Sequence, residues 1–279
     1  MKITPPSSKP YPDFTALGAF WSEDSPRLLE RALLSINDNS LLPLEIVLVQ
    51  DGEVSPNLST VIENYRGEVP LKLLRLPNNS GLGRALNLGM ESVSTDFVIR
   101  FDADDFSLPF RFMTTMKALD AGYDLVGAQV LEVNEPKNPN TIRRVPLCTS
   151  GIQRLLPYRS PLNHMTVGFR TSAIKRIGGY PDIRQREDYG LWLRLIAAGS
   201  SVINIDEILV EASTGDNFMQ RRGGYRNVIA EYKLRKLAVA LRVQKLIPAV
   251  MIGTLRSILF LLPSAMRKYI YFWILRSRK

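Results

Sequence analysis

Thr15 to Phe20 is a short apolar run of strand type, followed by Leu28, Leu29, Ala32, Leu33 and Ile36 at helical spacing. Ser25-Pro26 marks the start of that helix, because the serine hydroxyl can serve a free backbone N–H and proline has none to lose. Glu45 to Gln50 is almost continuously apolar, as in a parallel strand covered on both faces, and ends in the turn signal Asp51-Gly52. The alternation continues with a helix around Val61, a strand over Leu71 to Leu76, a helix over Leu82 to Ser92 and a strand over Phe97 to Phe101. Another helix is expected near Leu108-Pro109, and Glu135 to Asn140 reads as an exposed loop. This order predicts an α/β fold whose sheet is mostly parallel and flanked by helices, with ligands beyond the carboxyl ends of the strands. Asp51 and Asp102 fall at such ends.

A different rhythm begins past Gln220. Ala230, Leu234, Leu237 and Leu241 share one helical face, with Lys233, Arg235, Lys236, Arg242 and Lys245 over much of the rest. Leu246 to Met266 is apolar apart from Arg256, and the aromatic run Tyr269 to Leu275 is bracketed by Arg267, Lys268, Arg276, Arg278 and Lys279. An arginine at the centre of an inserted helix costs about 2.5–3.5 kcal/mol, and Pro248 and Pro263 interrupt the segment further. Helices lying in a membrane interface are therefore expected rather than a span; the plainer alternative is that they pack on the body with their bases solvated.

Charge sharpens this division. The net charge is +9, yet residues 221–279 carry 14 Lys and Arg against one acid, Glu231, leaving 22 bases against 26 acids in residues 1–220. The expected organisation is a mildly acidic body, 1–220, and a basic helical tail, 221–279. One cysteine, Cys148, and one histidine, His164, exclude a disulfide framework and a Cys/His zinc site, so any metal must be held by oxygen. Met1 to Asp13 has no apolar core of signal-peptide length, and a reducing cytoplasmic setting is expected.

The chemistry concentrates in Asp102-Ala103-Asp104-Asp105. Three acids in four positions after a buried strand resist joint ionisation, and a divalent cation is the simplest neutraliser. Mg²⁺ or Mn²⁺ held by one or two carboxylates keeps positions open for a diphosphate. The alternative is a helix cap in a solvated turn. There is no phosphate-binding Walker loop, and Gly81-Leu82-Gly83-Arg84-Ala85-Leu86 lacks the third glycine of a dinucleotide fingerprint.

Several segments together resemble a family 2 glycosyltransferase with its nucleotide-sugar-binding GT-A fold, over about Phe14 to Ala212. These are the apolar strand ending at Asp51-Gly52, the stretch Asn78-Asn79-Ser80-Gly81 through Arg84, Asn87 and Gly89, the Asp102-Ala103-Asp104 run, Gly178-Gly179-Tyr180, and Glu187-Asp188. The resemblance implies that Asp51 recognises the uracil or ribose of the donor and that Asn79 and Arg84 belong to the nucleotide pocket. Arg84 equally suits an ordinary helix surface. Asp104 is implied as the metal ligand, with Asp102 on the ribose or reaching the metal through water. Asp188 is implied as the base, Glu187 as its neighbour toward the acceptor, and both acids also suit the first turn of a helix. Asn163-His164 resembles a segment near the acceptor, although a lone histidine is more often a structural hydrogen-bonder. Trp21-Ser22-Glu23-Asp24 departs from the family's usual first turn and leaves that donor contact unassigned.

The implied activity is metal-dependent, inverting transfer of one hexose from a UDP-sugar to a lipid-linked saccharide in O-antigen, capsule or exopolysaccharide assembly. Absence of a Gln-x-x-Arg-Trp run favours a single sugar per acceptor over processive synthesis. The tail is expected to meet an anionic membrane surface, placing the protein peripherally on the inner face of the cell membrane. Two alternatives stand beside this: a nucleic-acid-binding module using the basic tail, and a Mg²⁺-dependent nucleotidyltransferase. Aromatics bunched with aliphatics in Tyr269 to Trp273 argue against the first, so no nucleic acid partner is expected. The second needs a basic glycine-rich loop, which Ala19 to Ser22 is not.

Overall fold

The computed structural model describes residues 11–134, 140–214, 223–263 and 266. The expected alternation is present: β1 (Phe14–Phe20), α1 (Pro26–Asn37), β2 (Glu45–Asp51), α2 (Pro56–Glu63), β3 (Leu71–Leu76), α3 (Leu82–Ser92) and β4 (Phe97–Arg100). Pro26 occupies the first turn of α1 and Ser25 its cap position, as expected, but the Ser25 side chain makes no capping hydrogen bond. These four strands pair in parallel in the order β3-β2-β1-β4, the arrangement that helical crossovers dictate.

The sheet then changes character. β5 (Phe106–Ser107), α4 (Arg111–Asp120), β6 (Leu125–Asn134), β7 (Thr141–Arg143), α5 (Thr149–Leu155), β8 (Gly168–Arg170), α6 (Thr171–Arg176), α7 (Glu187–Ala197) and β9 (Val202–Thr214) follow. β8 runs antiparallel between β4 and β6, β6 pairs parallel with β9, and β5 and β7 add antiparallel edges. The whole is a mixed sheet covered by helices. Alternate strand residues feed two cores: Leu17, Val47 and Val98 meet α3 and α7 on one face, while Ala16, Ile46, Leu48 and Ile99 meet α1 and α4 on the other. Each fully buried aliphatic side chain contributes about 1.5–3 kcal/mol. The expected loop at Glu135 to Asn140 lies almost wholly outside the described residues.

The C-terminal region corrects one expectation. α8 (Tyr225–Ala240) and α9 (Leu246–Leu261) form an antiparallel hairpin, closed where the Gly224 N–H donates to the Phe260 carbonyl (2.8 Å). The apolar stripe of α8 faces the protein rather than a membrane: Ala230, Leu234 and Ala238 enter the core that holds Tyr189 and Trp192, with Leu237 and Leu241 packed against it. Arg235, expected on the polar face, is buried. Pro248 does not interrupt α9, because it sits in the first turn where its missing N–H costs nothing. Arg256 turns inward, donating to the Tyr158 carbonyl (2.6 Å), so the outer face of α9 stays apolar. No helix among the described residues is long and apolar enough to cross a membrane. The aromatic run Tyr269 to Leu275 lies outside the described residues.

Candidate functional site

The carboxyl ends of β1, β2 and β4 open into one cavity of about 1000 Å³, where an α/β sheet is expected to receive its ligand. Asp51, Asn79, Asp102, Asp104, Asp105 and Glu187 all line it. So do Trp21, Glu23 and Asp24, the turn after β1 whose sequence gave no assignable contact.

Asp51 ends β2 and accepts from the Ser80 N–H (2.6 Å) and the Gly81 N–H (2.8 Å), tying the turn before α3 to the strand. Gly52 makes this possible, since its φ is +88° and a Cβ there would stand 2.7 Å from the Asn79 nitrogen. Asn79 is exposed at the rim and accepts a hydrogen bond from Arg184. Arg84 does not line the cavity: it is exposed and pairs with Asp182 (3.0 Å), which is the helix-surface reading. Asn87 instead joins two distant motifs. Its side chain donates to the Tyr180 carbonyl (2.9 Å) and accepts from the Tyr180 N–H (2.8 Å), and Gly179, at φ +72°, leaves room for it.

The acids after β4 do not cap a helix; Phe110 holds the cap position of α4. Asp102, Asp104 and Asp105 bring carboxylate oxygens within 4.8 Å of one another. Burial pushes Asp104 up to about 7, and the charges of Asp102 and Asp24 add to the shift. Burial also raises Asp105, aided by Asp102 and Asp104. One Asp105 oxygen accepts from the Ser213 N–H (3.0 Å), and the other is buried without a partner. A buried, unpartnered carboxylate oxygen beside two further carboxylates suits a hard divalent cation, so these residues fit the implied metal.

The chain itself supplies part of the positive charge for which a divalent cation was the simplest expected source. Arg100, buried at the end of β4, grips Asp102 with both terminal nitrogens. Burial opposes its charge, but Asp102 outweighs that and holds Arg100 protonated. Arg111, at the start of α4, donates to the Ser107 hydroxyl (2.7 Å), the Met165 carbonyl (2.7 Å) and the Arg100 carbonyl. Burial and the neighbouring Arg100 lower it to about 9. An arginine in an apolar strand, as in Phe97-Val98-Ile99-Arg100, was the available signal.

Glu187 and Asp188 occupy the first turn of α7, where the helix dipole favours acids. Glu187 lines the cavity with one buried oxygen unpartnered, and burial, then Asp188, pushes its carboxyl up to about 7. Asp188, the next residue of that turn, does not line the cavity, and burial raises its carboxyl as well. Gln185, in the loop before them, holds φ +67°, a strained value for a non-glycine residue that accompanies functional loops. His164 is not at the cavity. It is buried, bonded through Nε2 to the Tyr180 hydroxyl (3.0 Å), edge-on to Trp192, and kept neutral by burial.

Residues 21–178 match the model of glycosyl transferase family 2, a span that includes Asp51, Asn79, Asp102, Asp104 and His164 and stops before Glu187. The chain belongs to that family. It is 36% identical to an uncharacterized glycosyltransferase of Haemophilus influenzae, over 95% of this chain and 99% of the relative. It is 34% identical to the UDP-Gal:alpha-D-GlcNAc-diphosphoundecaprenol beta-1,3-galactosyltransferase of Escherichia coli, over 95% and 97%. It is 32% identical to the amylovoran biosynthesis glycosyltransferase AmsE of Erwinia amylovora, over 92% and 97%. Among solved structures, S. aureus TarS 1-349 in complex with UDP-GlcNAc superimposes with a TM-score of 0.65 and 16% identity, covering 95% of this chain and 74% of that one. At that identity the likeness is one of fold. Membership in family 2 sets the nucleotidyltransferase alternative aside.

Proposed function

We propose that this family 2 glycosyltransferase moves a single hexose, with inversion, from a UDP-sugar to a hydroxyl of a polyprenyl-diphosphate-linked saccharide during surface-polysaccharide assembly. The observation that carries the reading is the meeting, in one cavity, of the acids after β4, the Asp51 turn and Glu187 at the start of α7, the residue that Asp188 follows in the same helical turn. The printed activity of the Escherichia coli relative, transfer from UDP-Gal to a diphosphoundecaprenol-linked GlcNAc, supports the donor and acceptor classes.

In this mechanism Asp51 and Asn79 receive the nucleoside, and Asp102, held in place by Arg100, faces the ribose or the metal. Asp104, with Asp105 and Asp102, would hold Mn²⁺ or Mg²⁺, which supplies Lewis-acid stabilisation of the departing diphosphate. Asp188 is the proposed base. It takes the proton of the acceptor hydroxyl as that oxygen bonds to the anomeric carbon and the bond to the diphosphate breaks. Its raised carboxyl suits a base better than an ordinary surface aspartate would. Glu187, nearer the cavity, holds the acceptor side.

The catalytic domain is proposed to span 1–220, followed by a basic helical segment, 221–279, in which α9 rather than α8 faces the membrane. Ile247, Val250, Met251, Leu255, Ile258 and Leu261 on α9 are each more than half exposed, an apolar row on the most cationic part of the chain. Each base near an anionic bilayer adds about 1 kcal/mol, so this face is proposed to rest peripherally on the inner surface of the cell membrane. The test is transfer from radiolabelled UDP-hexoses, UDP-Gal first, to GlcNAc-diphosphate on a long alkyl chain. Metal-dependent formation of a disaccharide product is expected. No transfer from any UDP-hexose by folded protein would contradict the reading.

A further inference from the structure

The cavity is lined both by the acids at the strand ends and by one face of α8, and that face is cationic. Arg226, Ile229, Ala230 and Lys233 line it at spacings of three, four and seven, so they form a single stripe along that helix. Arg226 and Lys233 are exposed, and neither is ion-paired with an acid among the described residues. The sole acid of α8, Glu231, points elsewhere. It is fully buried and engages Arg235 (2.7 Å), Arg256 (3.4 Å) and Arg186 (3.7 Å). The helix thus turns its acid into the core and two unneutralised cations toward the cavity.

The acids after β4 fit a divalent cation, which would meet the diphosphate of the donor. The cations of α8 stand on a different element and suit a second anion. The same helix hairpin carries the exposed apolar row of α9. A cationic stripe on one helix of a hairpin and an apolar row on the other fit a ligand that is anionic at one point and aliphatic beyond it. We propose that Arg226 and Lys233 form the subsite for the diphosphate of the lipid-linked acceptor, a proposal that rests on the acceptor class given above. Two turns of helix set the two residues about 10.5 Å apart along the axis, a gap that two long side chains can close on one diphosphate. Ile229, between them, offers an apolar contact for the first isoprenoid unit.

The test uses the full chain with Arg226→Gln and Lys233→Gln combined, two exposed changes whose fold is checked by circular dichroism. Two acceptors are compared: GlcNAc-diphosphate on an alkyl chain, and the neutral alkyl glycoside of the same sugar and chain length. The expected result is that KM for the diphosphate acceptor rises about ten- to a hundredfold, as loss of charge-assisted contacts implies, with kcat little changed. The preference for the diphosphate acceptor over the neutral glycoside then collapses, while UDP affinity in Mn²⁺ stays within twofold of the wild type. Weakened UDP binding would assign the cations to the donor and overturn the subsite. An unchanged KM for the diphosphate acceptor would overturn it as well. Wild-type protein that binds UDP yet transfers to neither acceptor would overturn the acceptor class itself, a result distinct from both.

Discussion

The strand-end acids and the C-terminal hairpin present opposite charge problems, and each is solved only in part. At the strand ends, Asp102, Asp104 and Asp105 crowd together; Arg100 and Arg111 lie beneath them, yet Asp104 and Asp105 remain strongly raised and one oxygen stays unpartnered. In the hairpin the imbalance is reversed. Three arginines crowd one buried acid, Glu231, while Arg226 and Lys233 keep their charge at the cavity. The charge left over in each region suits a different ligand: a cation at the strand-end acids, an anion at the α8 stripe. What neutralisation there is comes from within the fold, through buried pairs that hold the geometry, and the remainder is available for ligands.

This contrast can be broken at several points. The largest effect is expected from Asp188→Asn, which should lower kcat by roughly 10²–10⁴-fold, the usual contribution of a general base, while UDP binding persists. The same assay on Glu187→Gln separates the two acids; if Glu187→Gln were the more severe, the base would be the cavity-facing residue. Next in size is Glu231→Gln. Removing one partner of a buried ion cluster costs about 3–5 kcal/mol, so Tm should fall by roughly 10 °C, and protease cleavage should begin in the hairpin. A change of under 2 °C would show that the cluster does not hold α8 and α9 to the body.

Asp104→Asn gives a smaller effect whose sign depends on pH. In metal-free protein the Asp104 carboxyl is pushed up to about 7, whereas the unfolded chain ionises near 3.8. The folded state therefore binds more protons between those values, and this residue's contribution to stability falls as pH rises through about 4 to 7, then levels off. The variant lacks that loss, so without metal its Tm should exceed the wild type's by several degrees at pH 8 and by less at pH 5. Mn²⁺ at pH 8 should stabilise only the wild type. Smallest of all, Ile247→Gln with Met251→Gln, both exposed on α9, should leave Tm within about 2 °C while weakening sedimentation with vesicles of anionic lipid. Undiminished vesicle binding would detach the apolar row from the membrane reading.

The strong periodic segments were legible from sequence because their physics is local. β1 to β4, α1 and α3 each carry a run or stripe long enough to fix type and face, and the acids after β4 stand out wherever they occur. β5 and β7 were not legible, since two or three residues carry no periodicity. The antiparallel course of β8 depends on tertiary pairing with β4 and β6. The same distinction applies to side chains. That Arg84 turns to Asp182, that His164 is sealed against Tyr180, and that Arg256 points at Glu231 are facts about residues far apart in the chain. Arg256 shows the consequence most clearly: read alone, it argued only against insertion of the C-terminal segment, whereas in the fold its inward turn leaves the outer face of α9 apolar.

On the proposed reading, the cavity at the strand ends receives a uridine nucleotide through a metal held by the acids after β4. Calorimetric titration of the protein with UDP, with and without Mn²⁺ and with Asp104→Asn alongside, tests it most directly. Binding should require Mn²⁺ and disappear in the variant. Folded protein that binds no UDP under either condition, or a variant that binds as the wild type does, would contradict it.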